Sequence, residues 1–156
     1  MRISTLLNYA NDPTESARQA KALESAGVDM IWIPEAYGFD AVSLLGYLAA
    51  ETETVGLGSG ILNTYSRTPA ALAQTAASLD SLSGGRFTLG LGASGPQVIE
   101  GFHGIPYSMP LTRLREVMEI CRMAWKREPL TYNGKVFDLP LPAERGTGLG
   151  KPLKII

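Results

Sequence analysis

The strongest constraint on how this chain can fold is an alternation. Four apolar strand segments, starting at positions 3, 30, 55 and 87, are each followed by a helical pattern. Their spacing is close to the roughly 30 residues of a βαβ unit. In such a unit the helix carries the chain back, so the strands run parallel. The first strand, Ile3-Ser4-Thr5-Leu6-Leu7, closes at Asn8. Asp12-Pro13-Thr14-Glu15 predicts a helix start: an N-cap acceptor, proline at the first helical position and Glu at the capping-box position. Gly27 is placed to stop that helix. The second strand, Met30-Ile31-Trp32-Ile33, ends at Pro34-Glu35, and the second helix opens at Asp40.

The third strand segment, residues 55–63, carries Gly56, Gly58 and Gly60. Glycines inside a strand mark a bulge or a close approach by another group. The third helix runs from Thr68-Pro69 to Leu82 and meets Gly84-Gly85. The fourth strand, Phe87-Thr88-Leu89-Gly90-Leu91, leads into Gly92-Ala93-Ser94-Gly95-Pro96. A polar, glycine-rich loop is expected next. An amphipathic helix then places Leu111, Leu114, Val117, Cys121 and Trp125 on one face, with Cys121 and Trp125 expected in the core. Asn133-Gly134 predicts a hairpin between Thr131-Tyr132 and Lys135-Val136-Phe137.

Composition excludes several classes of function. A net charge of -1 gives no electrostatic footprint for nucleic acid or an anionic membrane. No apolar run approaches the roughly 20 residues of a membrane span, and the N-terminus lacks the pattern of a signal peptide. One cysteine, Cys121, and one histidine, His103, allow neither an internal disulfide nor a His/Cys metal cluster. The expectation is a cytoplasmic, metal-free protein with a small-molecule substrate. At 156 residues the chain falls short of the roughly 250 of a closed (β/α)₈ barrel. Residues 1–156 read as a single domain, the first half of something larger.

Gly90-Leu91-Gly92-Ala93-Ser94-Gly95 matches a dinucleotide-binding glycine loop directly after a strand. The context argues against that reading. Pro96 follows the last glycine, and Glu116 and Glu119 lie on a helix where a ribose-binding acid should end a strand. The stronger signal is a set of polar or glycine-containing segments at the carboxyl ends of all four strands: Asn8, Glu35, Ser59-Gly60-Ile61 with Asn63, and Ser94-Gly95-Pro96-Gln97. In a parallel βα barrel these ends line the reaction pocket. Asn8 and Asn63 fit a cap or turn equally well. A strand-end carboxylate such as Glu35, wedged between Pro34 and Ala36-Tyr37, is placed to titrate usefully.

Leu79-Asp80-Ser81-Leu82-Ser83-Gly84-Gly85-Arg86 followed by Leu89-Gly90-Leu91-Gly92 resembles the signature of the bacterial luciferase-like superfamily. Residues 94–104, from Ser94-Gly95-Pro96-Gln97 to His103-Gly104, are similar to the coenzyme F420-dependent subgroup. The resemblance implies an α/β fold, a parallel (β/α) barrel of TIM type. This chain would supply its first four βα units plus a β-hairpin, and deazaflavin F420 would lie across the strand ends. It also implies a bulge in the third strand, with Gly60-Ile61 the candidate for a non-prolyl cis bond; an ordinary β-bulge remains an alternative. Cofactor contacts are expected from Asn8, Ser59, Gly60, Ile61, Asn63, Ser94, Gly95 and Gln97, and proton handling or orientation from Glu35. Glu100 sits among the polar positions after the fourth strand. His103 reads as a loop-structuring residue before a catalyst, and Arg86 as half of a structural ion pair. FMN, in a monooxygenase of the same superfamily, is the alternative cofactor. A homo-oligomer or a separate second half would close the barrel. Without one, the chain would be a non-catalytic half-barrel.

Overall fold

The computed structural model describes residues 1–7, 12–146 and 150–154. The described residues follow the order β1 (Ser4–Leu6), α1 (Pro13–Ser25), β2 (Met30–Ile33), α2 (Ala41–Glu51), β3 (Gly56–Ser59), β4 (Leu62–Asn63), α3 (Pro69–Leu82), β5 (Phe87–Thr88), β6 (Leu91–Gly92), α4 (Pro96–Gly101), α5 (Pro110–Trp125), β7 (Tyr132–Asn133) and β8 (Asp138–Leu139). They divide into two compact units. One is Met1–Asn63 with Thr75–Ser94, and the other is Thr64–Gln74 with Gly95–Ile156.

In the first unit β1, β2, β3 and β5 lie side by side in that order, all parallel. The expected third and fourth strands are each interrupted, and their outer pieces, β4 and β6, form a short parallel ladder of their own. The interruption in the third strand falls at Gly60-Ile61, whose peptide bond is cis as the resemblance implied. Asp12 caps α1 by accepting from Thr14 N–H at 2.8 Å, with Pro13 as the first helical residue. The capping box is not completed, because Glu15 turns instead to Gln19 and Arg18. Gly27, at φ +82°, ends the turn after α1 in the left-handed region that glycine enters at no steric cost.

The strand glycines receive the unit's own side chains. A Cβ on Gly58 would sit 2.4 Å from the Trp32 ring, and one on Gly56 would sit 2.9 Å from the Met30 methyl. Met30 and Trp32 therefore lie across the glycine stripe on one face of the sheet. Ile31, Ile33 and Leu57 are fully buried on the other face, and Leu45 and Leu48 of α2 are buried likewise. This alternation is what a two-residue side-chain period produces when both faces of a parallel sheet are used.

Arg86 makes no ion pair of the kind expected. Its guanidinium donates to the carbonyls of Ala49, Thr52 and Val55 and to the Thr52 hydroxyl, while Nε donates to the Ser83 carbonyl at 2.6 Å. It thus satisfies carbonyls that the end of α2 leaves without intrahelical partners.

In the second unit α4 begins at Pro96, where a loop was expected. Proline after Gly95 is not evidence against a helix, because its fixed φ and missing N–H suit the first helical position. On α5, Val117 and Cys121 are buried as predicted, but Leu111 is 78% exposed and Trp125 44% exposed. Trp125 is held at its edge, its indole N–H donating to the Ala73 carbonyl at 3.0 Å. The hairpin pairs Tyr132 with Leu139 and Asn133 with Asp138, so its loop is wider than the two-residue Asn-Gly turn. Buried Glu116 explains the width: its carboxylate accepts from the N–H groups of Lys135, Val136 and Phe137 at 2.7–3.0 Å.

Candidate active site at the strand ends

The carboxyl ends of β2, β3 and β6 in the first unit are locked side by side by backbone bonds. Gly60 N–H donates to the Ile33 carbonyl at 2.8 Å, and Leu62 N–H donates to the Gly90 carbonyl at 2.9 Å. The Ser59 hydroxyl is fully buried, donating to the Gly90 carbonyl and accepting from Gly90 N–H, each at 2.9 Å. A Cβ on Gly90 would lie 2.0 Å from the Ser59 carbonyl oxygen, so only glycine permits this approach.

Gly60 faces Leu6 and Trp32: a Cβ there would be 3.3 Å from Trp32 Cβ and 3.7 Å from Leu6 Cδ2. Leu6, Trp32 and Gly60 make an apolar floor on one face of the sheet's carboxyl end. Ile61 follows and packs against Gly92, where a Cβ would meet it at 3.0 Å. Asn63 is buried, and Ser94 is exposed with its backbone left-handed at φ 57°. Asn8 lies outside the described residues.

Half-buried Glu35 stands just past β2, and its Oε1 accepts from Ala41 N–H, the first of α2, at 3.1 Å. Asp40 caps the same helix by accepting from Ser43 N–H at 2.7 Å and Ser43 Oγ–H at 2.8 Å. Glu35 is therefore both a strand-end carboxylate and a clamp on the loop that follows it.

In the second unit Gly95 is the N-cap of α4, and Gln97 is exposed with its Oε1 turned back toward Gly95. The Glu100 carboxylate accepts from Tyr107 N–H at 2.9 Å, fixing the loop after α4. His103 packs edge-on against Phe102, and its buried Nε2 has no partner.

Arg113, a residue that sequence reasoning missed, lies one turn into α5. Its guanidinium carbon lies 4.4 Å from the Tyr65 ring centroid and 4.9 Å from that of Phe137. Nη1 is 3.4 Å from the Thr64 carbonyl, and buried Nε lacks an acceptor. Burial raises the Tyr65 hydroxyl pKa against the lowering influence of Arg113. The only signal in the sequence was an arginine at the start of an apolar helix, too common to single out. Cys121 is inert by comparison: burial pushes its thiol up to about 11, and Sγ rests on the Pro69 carbonyl.

Among the described residues no group of three or more His, Cys, Asp or Glu could hold a metal. None of the described helices is long and apolar enough to cross a membrane.

Parallel βα units with a polar rim at the strand carboxyl ends define an α/β protein of the TIM-barrel type, represented by part of a barrel. The luciferase-like monooxygenase family model matches residues 1–153, and the chain belongs to that family. It is 45% identical to a Mycobacterium tuberculosis protein provisionally named a coenzyme F420-dependent oxidoreductase, matching all of this chain and 46% of that one. It is 37% identical to the 5,10-methylenetetrahydromethanopterin reductase of Archaeoglobus fulgidus over 75% of this chain and 35% of the relative. Among solved structures, the coenzyme F420-dependent tetrahydromethanopterin reductase of Methanopyrus kandleri superposes with a TM-score of 0.78 at 29% identity. That match covers 88% of this chain and 43% of the other. The chain thus spans less than half the length of these relatives.

Proposed function

We propose that this chain is the cofactor-facing half of an F420-dependent oxidoreductase, which moves a hydride between the deazaflavin and a small organic substrate. The observation that carries the reading is the strand-end floor: Leu6, Trp32 and Gly60 pack together into an apolar surface at the carboxyl end of the sheet, just past which Glu35 stands. These residues fit a deazaflavin, and the names of two relatives, a coenzyme F420-dependent oxidoreductase and an F420-dependent glucose-6-phosphate dehydrogenase, point to the same cofactor. When bound, F420 supplies hydride acceptance or donation at its ring.

The protein's part is to orient, exclude water and handle a proton. Gly60 and Ile61 back the ring. Ser59 acts through the backbone, because its hydroxyl is spent on Gly90. Asn8, Asn63, Ser94, Gly95 and Gln97 supply further polar contacts. Glu35, whose Oε1 accepts the Ala41 N–H, orients the substrate or takes its proton.

Titration of the purified chain with F420, followed by fluorescence and with FMN as competitor, tests the reading. Saturable binding that FMN does not displace is expected. Preferential binding of FMN would replace this reading with that of a flavin monooxygenase. In a form that turns over, Glu35→Gln is expected to lower turnover at least tenfold and to flatten its pH dependence. Unchanged turnover with an unchanged pH profile would remove Glu35 from the chemistry.

A further inference from the structure

We draw no further inference here: the strongest candidate, the exposed row of Leu111, Met118 and Trp125 along α5 beside Arg115 and Arg122, is an apolar helix face, and nothing in the structure shows what covers it.

Discussion

Glu24 and Glu35 both accept backbone N–H groups, yet they do different work. Glu24 Oε1 takes the N–H groups of Glu53, Thr54 and Val55 and the Thr54 hydroxyl at 2.5–3.0 Å. Burial alone would raise its pKa, but the bonds from Thr54, Val55 and Glu53 outweigh that and hold the carboxyl at about 2. A folded pKa below the unfolded one gives stability that is complete above about pH 4.5 and is lost as pH falls toward 2. Glu24→Gln is therefore expected to cost about 1–2 kcal/mol at pH 7. That deficit should shrink between pH 4.5 and 2 in denaturant titrations. A deficit independent of pH would refute the charge argument. Glu35 Oε1 accepts the Ala41 N–H. Glutamine keeps an acceptor oxygen there, so Glu35→Gln should leave the unfolding midpoint nearly unchanged. Glu35→Ala should lose about 1 kcal/mol, as other lost caps do.

At the scale of elements, Arg86 ties the end of α2 to the segment that leads into β3. One side chain satisfies the carbonyls of Ala49, Thr52 and Val55, which Met could not do. Arg86→Met is expected to destabilise by about 2–4 kcal/mol, since each buried carbonyl left unpaired costs about 1–3 kcal/mol. Arg86→Lys should recover only part, because an ammonium lacks the planar fork. Thermal unfolding of the two variants compares them directly. Between the third and fourth strands the corresponding device is Gly90 against Ser59. Gly90→Ala puts a methyl at 2.0 Å from a backbone oxygen, so the strands must separate. The expected outcome is loss of cooperative unfolding, and a well-folded variant would show that the approach is not required.

At the scale of the molecule, the described four-stranded sheet has two edges, β1 and β5. Each displays unpaired backbone groups, and an exposed edge recruits further strands. Ile3, beside β1, is half exposed and adds apolar surface to that edge. Light scattering across a concentration series should show association of the chain, reduced severalfold by Ile3→Lys. Association unaffected by that change would place the contact elsewhere.

Much of the fold and part of the site were legible in the residues themselves. The parallel alternation, the Asp12-Pro13 helix start, the Gly27 stop and the bend at Gly60-Ile61 all follow from local pattern or motif. Local steric and hydrogen-bonding preferences are written in adjacent residues, and so are family signatures. What the tertiary structure decided were relations between residues distant in sequence. The glycine stripe holds Met30 and Trp32, Arg86 binds carbonyls in place of an acid, Glu116 widens a turn that Asn133-Gly134 alone would have closed, and Arg113 lies between two rings. Each depends on which chain segments arrive side by side after folding, and no periodicity within one segment carries that information.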